Sequence, residues 1–429
     1  MRDFARSDSP DVQHQLDRLG ELSVPEGRFG LDTIHALLAR LGDPHLRLPP
    51  AFHVAGTNGK GSTCAFLRAM LEAEGYRVHV TTSPHLVRYN ERIRVAGELI
   101  TDARLTELLK EVLDAGEDLN PSFFEATIAA AFLEFARVPA DACVVEVGLG
   151  GRFDATNVLP PQGIAACGIA SLGIDHERFL LVPEEGAPKE PLARIGFEKA
   201  GIVKPGRPLV TLAYAEGPRL EIERAALAAG APLAMRGDGW DAEASERGFH
   251  YEDRHGELAL PSPALPGLHQ ADNAALAVAM LRHQDIVAVA PGAMAKGIRS
   301  ARWPARLQRL AEGPLTGGRD VWLDGGHNAD AGTMLARHFA GRRVHLIVGM
   351  LANKNPAALI EPMRESVVSV TAVPVPDHEH HPAETFGGGE AADVPAALAS
   401  LPRDGLPILI AGSLYLAGEV LRLNGELPD

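Results

Sequence analysis

The stretch His53-Val54-Ala55-Gly56-Thr57-Asn58-Gly59-Lys60-Gly61-Ser62-Thr63 links an apolar strand to an amphipathic helix through a glycine-rich loop. Its glycines let the backbone turn tightly and bring N–H groups against oxyanions. The helix predicted over residues 62–74 adds the positive end of its dipole, and Lys60 adds a point charge. The stretch therefore predicts a binding loop for a nucleotide triphosphate, with Ser62 or Thr63 within reach of Mg²⁺.

The match to the phosphate-loop pattern G-x-x-x-x-G-K-[ST] is imperfect. Val54 replaces the first glycine, and Gly61 separates Lys60 from the hydroxyl residue. An ordinary glycine-rich turn is the alternative interpretation, but the order strand, loop, helix favours the nucleotide site.

Length and charge limit the possible classes of protein. A chain of 429 residues exceeds one ordinary core, so two domains are expected. The net charge of −15 argues against nucleic acid and acidic membranes as partners. It does not argue against ATP, whose phosphates are met by local groups.

Three cysteines, at positions 64, 143 and 167, lie in apolar segments without metal-ligand spacing. They predict buried thiols in a reducing compartment. The first residues contain no apolar stretch of the kind found in signal peptides, and no run of 18 apolar residues occurs. We therefore expect a cytoplasmic protein, and we expect a monomer.

Strands and helices are predicted to alternate along the chain, which is typical of a largely parallel sheet covered on both faces. Before a linker predicted over residues 297–304, the strands are expected at residues 77–81, 142–147, 163–170 and 208–213, with a hairpin at 249–260. After it they are expected at 321–323, 344–348, 367–373 and 408–410. We predict an α/β fold: a P-loop-type, mostly parallel sheet domain over residues 1–297 and a smaller Rossmann-like domain over residues 298–429.

Polar residues follow three of the predicted strands, where open parallel sheets bind ligands. Ser83 follows the strand at residues 77–81, Glu146 ends the strand at 142–147, and His176 follows the strand at 163–170. Together with phosphate oxygens and water they would form a Mg²⁺ site, although His is an unusual Mg²⁺ ligand. The alternatives are a turn-capping role for Glu146 and a surface or core role for His176.

Further motifs stand in a fixed order along the chain: Thr82-Ser-Pro-His-Leu-Val-Arg-Tyr-Asn-Glu-Arg-Ile-Arg94, Glu146-Val-Gly-Leu-Gly-Gly-Arg-Phe-Asp-Ala-Thr-Asn157, Glu198-Lys-Ala-Gly-Ile-Val-Lys-Pro205, Trp322-Leu-Asp-Gly-Gly-His-Asn328 and Gly412-Ser-Leu-Tyr-Leu416. With the loop, these motifs resemble the folylpolyglutamate synthase/dihydrofolate synthase branch of the Mur ligase family. The resemblance extends from about residue 15 to about residue 423.

The resemblance implies an ATP-dependent amide ligation. ATP would phosphorylate the carboxylate of dihydropteroate or of a reduced folate, and the α-amine of L-glutamate would displace phosphate from the acyl phosphate. Such chemistry needs positioning and charge neutralisation more than covalent catalysis.

The resemblance also assigns roles to residues. The loop would hold the triphosphate through Thr57, Asn58, Gly59, Lys60, Gly61 and Ser62, while Ser83, Glu146 and His176 would hold one or two Mg²⁺ ions. Lys199 resembles a carbamylated lysine, although the sequence alone would make it a solvated helix residue. The catalytic residues would be Lys60, His176 and Lys199.

Four more residues resemble nucleotide contacts of the family: Asn273, Arg306, Asp324 and His327. The last three belong to the smaller domain, and closure of that domain would bring them onto ATP. The alternatives are a helix-capping role for Asn273, an interdomain ion pair for Arg306 and a plain polar turn over residues 324–327.

The acceptor site is expected where family members line their pterin pocket, at Arg28, Phe29, Gly30, Ser122, Phe123, Phe124, Phe153, Asp154 and Ala155. Aromatic rings suit a flat heterocycle. A plain core role for the phenylalanines is the alternative.

The chain departs from the family at three places. Residues 182–191 are predicted to form an exposed insertion, and Asn355 stands where relatives usually have Asp. The consecutive residues Asp377-His-Glu-His-His381 suggest a metal cluster, but neighbours in a Pro-rich loop cannot all face one ion.

Other functions remain open at this point. The chain could be a folylpolyglutamate synthase only, or a Mur-type ligase for another carboxylate. The latter usually needs an extra N-terminal domain, and only about 50 residues precede the loop. A non-catalytic nucleotide-binding regulator would be expected to lack Ser83, Glu146 or Lys199. A P-loop kinase or GTPase has still less support, because no guanine-specifying Asn-Lys-x-Asp motif follows a strand.

Overall fold

The computed structural model describes residues 6–22, 30–245 and 247–428, and these residues form two compact units. The first unit falls within Met1–Ser83, Tyr89–Ala264 and Gln270–Arg302. The second falls within Pro84–Arg88, Leu265–His269 and Trp303–Asp429. Among the helices described, none has the length and apolar character needed to cross a membrane.

A sheet of eight strands is the centre of the first unit. The strands are β1 Ala51–Ala55, β2 Val78–Thr81, β3 Ile93–Val95, β4 Glu98–Leu99, β5 Ala142–Glu146, β6 Ile164–Ile169, β7 Leu209–Thr211 and β8 Leu233–Met235. Their order is β4-β3-β2-β5-β1-β6-β7-β8. Six neighbouring strands pair in parallel: β2, β5, β1, β6, β7 and β8. Strands β3 and β4 pair antiparallel at one edge of the sheet. The prediction of a mostly parallel sheet is thus confirmed.

Helices cover this sheet because apolar residues recur along one face of most of them. They are α1 Pro10–Glu21, α2 Asp32–Arg40, α3 Lys60–Glu74, α4 Asp102–Gly116, α5 Phe123–Arg137, α6 Glu177–Leu180, α7 Pro191–Ala200, α8 Glu216–Ala229, α9 His269–Arg282 and α10 Pro291–Ser300. Short 3₁₀ turns lie at Pro44–Arg47, Tyr89–Arg92, Glu117–Leu119, Ala155–Val158 and Pro161–Gly163. Strands β1 and β5 are buried along their whole length, as expected between two helical layers.

A small antiparallel sheet follows β8. It contains β9 Trp240–Ser245, β10 Gly248–Asp253 and β11 Gly256–Pro261, with β10 in the centre. The hairpin predicted over residues 249–260 is confirmed as β10 and β11. The sequence did not predict β9, because its Asp, Ala and Glu residues favour strands poorly and only pairing with β10 holds it extended.

The predicted linker over residues 297–304 is wrong in its first half. Helix α10 continues to Ser300, and Gly297 lies inside it. A Cβ atom at Gly297 would lie 2.5 Å from the backbone nitrogen and Cα of Met70 in α3. The glycine therefore permits close contact between two helices and does not mark a flexible connection.

Replacing Gly297 with alanine should lower the free energy of unfolding by about 1–3 kcal/mol, because the new methyl group must push α10 away from α3. Gly292 in the same helix is the matched control, since a Cβ atom there meets nothing within 4 Å. Gly292→Ala should be neutral or stabilising by up to about 1 kcal/mol. Urea unfolding followed by circular dichroism measures both, and equal midpoints for the two variants would contradict the packing argument.

The second unit has its own parallel sheet. The strands are β12 Gln308–Arg309, β13 Val321–Leu323, β14 Val344–Val348, β15 Val367–Ala372, β16 Gly389–Glu390 and β17 Ile408–Ala411, in the order β12-β13-β17-β14-β15-β16. Only β12 is antiparallel. The helices are α11 Ala329–His338, α12 Pro356–Met363, α13 Val394–Ser400 and α14 Leu414–Asn424, with a 3₁₀ turn at Ala383–Phe386. The strands predicted after the linker are confirmed, and the unit is the expected Rossmann-like α/β layer structure.

Candidate active site

The glycine-rich loop joins β1 to α3. Gly56 and Gly59 have φ angles of 153° and 83°, where residues with a side chain are disfavoured. Gly59 is also the N-cap of α3, and a Cβ atom there would lie 2.4 Å from Oδ1 of Asn273. Gly61 differs from the prediction, because it lies in the first turn of α3 and does not form the bend.

The loop is held in shape by the segment that follows β6. The backbone N–H of Thr57 donates to the carbonyl of Ser171 at 2.8 Å, and its hydroxyl donates to the carbonyl of Gly173 at 2.9 Å. The Ser171 hydroxyl donates to the carbonyl of Asn58 at 3.2 Å. Neither Ser171 nor Gly173 stands out in the sequence, because their partners Asn58 and Thr57 are distant in the chain.

Lys60 lies over this loop. Its Nζ donates to the carbonyls of Gly56 at 3.0 Å and Thr57 at 3.2 Å. Ser62 and Thr63 are buried in the first turn of α3, and the Thr63 hydroxyl has no hydrogen-bond partner within the described residues. The loop thus places an ammonium and a helix N-terminus at one point, which suits a polyphosphate.

Asn273 belongs to the same site. It is the fifth residue of α9, so it does not cap that helix. Its side chain is buried against Gly59, and its Nδ2 donates to Oε1 of Gln270 at 3.1 Å. Gln270, which the sequence analysis did not select, is fully buried and its Nε2 has no partner in the described part of the chain.

Two of the predicted metal ligands are brought together. The backbone N–H of Ser83, just after β2, donates to Oε2 of Glu146 at 3.2 Å. Glu146 ends the neighbouring strand β5 and is only 4% exposed. A carboxylate and a serine hydroxyl are oxygen donors of the kind that Mg²⁺ prefers, so the residues fit this ion.

His176 stands in the segment after β6. It is the N-cap of α6 with a φ of 54°, and its side chain is 38% exposed. Its backbone N–H donates to the carboxylate of Asp175 at 2.8 Å. The left-handed conformation is unusual for histidine and is of the kind found at functional sites. The role of His176 as a metal ligand stays a prediction.

Lys199 is not the solvated helix residue that its sequence suggests. It lies in the last turn of α7 and is 4% exposed. Burial lowers the pKa of the Lys199 amine to about 7, and the positive charge of Lys60 acts in the same direction. The carboxylates of Asp154, Asp175 and Glu198 oppose the shift. A large share of this amine is therefore neutral at physiological pH.

The loop after β5 is folded around Asp154. Its buried carboxylate accepts hydrogen bonds from the backbone of Leu149 at 2.8 Å and of Thr156 at 3.0 Å. The Thr156 hydroxyl also donates to it, and accepts in turn from Nε2 of His53 at 2.8 Å. Burial lowers the pKa of His53 to about 3, so this ring is neutral and donates Nε2–H. Asp154 thereby shapes the loop after β5, and His53 supports it from β1.

The aromatic residues of the expected acceptor site differ in position. Phe124 lies against Gly148, where a Cβ atom would come 2.5 Å from the ring. Phe123 makes an edge contact with Tyr89 at 5.7 Å between ring centres. Phe153 is 38% exposed, and the guanidinium of Arg152 lies 4.2 Å from its ring centre. The guanidinium of Arg152 therefore covers one face of the Phe153 ring.

The remaining acceptor residues have simpler settings. Ser122 forms a capping box with Glu125 at the start of α5, which explains both side chains locally. Ala155 is buried and Gly30 is exposed. Arg28 and Phe29 lie outside the described residues.

In the second unit, Asp324 organises the residues selected from the sequence. Its buried carboxylate accepts from the backbone of Leu307 at 2.8 Å and of Gly326 at 2.7 Å. Arg306 lies between two residues with positive φ, and its charge counteracts the rise in the pKa of Asp324 that burial causes. Nδ1 of His327 donates to the carbonyl of Gly325 at 3.3 Å. The structure thus gathers Arg306, Asp324 and His327 around one turn.

The two departures in this unit have local explanations. Asn355 caps α12 by accepting from the backbone of Ala357 at 3.1 Å. In the stretch 377–381, ring nitrogens of His378, His380 and His381 donate to backbone carbonyls. Among residues 6–22, 30–245 and 247–428, no three His, Cys, Asp or Glu side chains could hold a metal ion together.

A glycine-rich loop next to a buried carboxylate at the edge of a parallel sheet, in a chain with a second α/β unit, is typical of ATP-dependent enzymes, and the order of the motifs indicates the ligase class. Comparison with known proteins agrees. The chain is 37% identical over 344 residues to the dihydrofolate synthase/folylpolyglutamate synthase of Bacillus subtilis, a match that covers 76% of each protein. No family model matches the chain.

Solved structures extend the match to nearly the whole chain. A structure of Escherichia coli FolC in complex with DHPP and ADP has a TM-score of 0.85 and 31% identity, covering 98% of this chain and 99% of the other. A bifunctional folylpolyglutamate synthase/dihydrofolate synthase from Yersinia pestis complexed with AMPPNP and Mn has a TM-score of 0.83 and 29% identity, with the same coverage. The chain belongs to the folylpolyglutamate synthase/dihydrofolate synthase family. It is an ATP-dependent ligase that adds L-glutamate.

Proposed function

We propose that this enzyme joins L-glutamate both to dihydropteroate and to reduced folates. The observation that supports the ligase chemistry is the position of the polar groups along one sheet. Strands β2, β5, β1 and β6 are neighbours in this order, and Ser83, Glu146, the Lys60 loop and His176 follow their carboxyl ends. Parallel sheets bind substrates at this edge.

In the first step, the acceptor carboxylate attacks the γ-phosphorus of ATP. The new bond joins a carboxylate oxygen to phosphorus, and ADP leaves with the bridging oxygen. Lys60 and the N–H groups at the start of α3 stabilise the negative charge that develops on the phosphate oxygens. Ser83, Glu146 and His176 would hold Mg²⁺, which neutralises phosphate charge when bound.

In the second step, the neutral α-amine of L-glutamate attacks the acyl carbon. The C–N bond forms, the C–O bond to phosphate breaks, and the amine loses a proton. Buried groups around the loop keep bulk water away, since water would hydrolyse the acyl phosphate. In this proposal Lys199 acts as a carbamate, an anion formed from its neutral amine and CO₂.

The acceptor binds beside the Gly148–Asp154 loop in this proposal. Phe124 packs on Gly148, and the open face of Phe153 offers an aromatic surface for a flat heterocycle. The roles of Arg306, Asp324 and His327 in nucleotide binding rest on the family resemblance of their motifs. A cytoplasmic location is also proposed, because the three cysteines are buried and unpaired.

The test is ADP release from the purified protein with ATP, Mg²⁺ and L-glutamate. Dihydropteroate and a reduced monoglutamyl folate are supplied as separate acceptors. Turnover with both is the expected result. Turnover with the folate alone would leave a polyglutamylating enzyme and remove the pterin role of residues 122–124 and 153–155. If protein that still binds ATP releases no ADP with either acceptor, the result would point to another carboxylate acceptor.

A further inference from the structure

The segment 182–191, expected to be an exposed insertion, is attached to elements of the candidate site through two side chains, Glu184 and Glu190. Residues 182–190 have no regular secondary structure, Pro191 begins α7, and most of the segment is exposed. Glu190 caps α7 by accepting from the backbone of Leu192 and Ala193, whereas the carboxylate of Glu184 faces two arginines. Arg152 comes from the loop after β5, and Arg194 comes from α7.

Four charged groups of alternating sign form this cluster. Arg152 Nη1 donates to Glu184 at 2.8 Å, and its Nη2 donates to Glu198 at 2.9 Å. Arg194 Nη2 lies 2.7 Å from Glu184 and 2.9 Å from Glu198. The side chains of Arg194 and Glu198 are each 7% exposed. Fork-shaped contacts of this kind combine charge with fixed geometry.

The cluster connects three parts of the site. Arg194 Nε donates to the carbonyl of Leu180 at 3.1 Å, which holds the end of α6. The backbone N–H of Arg152 donates to the carbonyl of Glu198 at 2.8 Å, and Glu198 directly precedes Lys199. The Arg152 guanidinium also lies between two rings, 4.2 Å from the centre of Phe153 and 4.8 Å from that of Phe197. Moving Arg152 would therefore move the exposed ring of the acceptor loop.

Glu184 balances the charges of this cluster. Hydrogen bonds from Arg152, and then from Arg194, hold the pKa of the Glu184 carboxyl down to about 2, so it is ionised throughout the physiological range. Without it, two guanidinium groups would share the single carboxylate of Glu198. Arg194 is buried, whereas the side chain of Arg152 is 23% exposed, so Arg152 is the arginine that we expect to shift when the Glu184 carboxylate is lost.

We propose that Glu184 is a positioning residue for the acceptor: it fixes Arg152 over Phe153 and so sets the affinity for the heterocyclic substrate without acting on ATP. The inference rests on the proposed function, since it needs the loop after β5 to bind the acceptor. It assigns residues 182–191 a role in the choice of acceptor.

The test compares Glu184→Gln with Glu185→Gln. Glu185 is the adjacent exposed carboxylate, and it forms no hydrogen bond or ion pair within the described residues. Both substitutions remove one negative charge from the same segment. We expect Glu184→Gln to raise the KM for dihydropteroate by about tenfold, while the KM for ATP changes by less than about twofold. Glu185→Gln should leave both constants unchanged. Glu184→Asp, which keeps the charge but shortens the side chain, should fall between Glu184→Gln and the parent.

Hydrogen exchange gives a second measurement that does not need turnover. We expect faster exchange at residues 148–157 in Glu184→Gln but not in Glu185→Gln. If neither parent nor variant shows activity with dihydropteroate, the proposed acceptor is wrong, and the exchange data still report whether Glu184 holds the loop. Equal KM values for dihydropteroate in the two variants, or equal exchange at residues 148–157, would overturn the positioning role.

Discussion

Replacing Lys60 with alanine is expected to lower ADP release by about a thousandfold or more while leaving the fold intact. The Nζ of Lys60 lies over the loop carbonyls of Gly56 and Thr57, at the N-terminus of α3. Without it, the developing charge on the γ-phosphate would be met only by backbone N–H groups and the metal.

The loss should appear in kcat as well as in kcat/KM, because the ammonium acts most strongly on charge that develops in the transition state. Lys296→Ala in α10 is the matched control, since Lys296 is exposed and belongs to none of the site motifs. Circular dichroism and the thermal midpoint should be similar for both variants. Near-normal turnover in Lys60→Ala would refute the phosphate-loop assignment.

The fold was predictable because its main determinants are local. The strand at residues 344–348 and the end of α3 at Gly75 follow from apolar patterning and from glycine at a helix C-terminus. The parallel sheet followed from the alternation of strands and helices. Errors arose where packing between distant segments overrides local preference, as at β9 and at Gly297 in α10.

The site was predictable in part for a related reason. Gly56 directly follows β1 and Glu146 ends β5, so their proximity follows from the sheet order. His53 and Glu184 carry no such signal, because Thr156 and Arg152 lie 103 and 32 residues away from them in the chain. Gln270 is only three residues from its partner Asn273, but its complete burial is not visible in the sequence. The burial of Lys199 could not be predicted either. Its sequence suggests an exposed charge at the end of a helix, and only the packing of α7 removes it from water.

Lys199→Ala is the second substitution for which we expect a loss of about a thousandfold in turnover. Because burial lowers the pKa of this amine to about 7, it is a nucleophile near neutral pH. In the proposed carbamate, the neutral amine would add to CO₂, forming an N–C bond and releasing one proton, to give an anion. Lys199 would then contribute a negative charge, the opposite of what its side chain suggests.

Two small molecules distinguish a carbamate from an ammonium. Truncation to alanine leaves a cavity in the place of the side chain, and acetate or ethylamine can be added to fill it. We expect acetate to restore part of the activity and ethylamine to restore none, because the missing group is an anion. Rescue by ethylamine alone would show that the ammonium is the working form. The exposed lysine variant Lys296→Ala should respond to neither compound.

The pH dependence of carbamylation is a second way to distinguish a carbamate at Lys199 from an ammonium. At constant dissolved CO₂, the neutral fraction of Lys199 grows as pH rises through about 7, so the rate of carbamylation should rise over the same interval. Parent enzyme stripped of CO₂ at low pH should therefore be inactive and recover on addition of bicarbonate, faster at pH 8 than at pH 6. An ammonium role predicts the reverse, since the charged form is lost as pH rises. Activity that does not depend on CO₂ and that falls as pH rises through about 7 would exclude the carbamate.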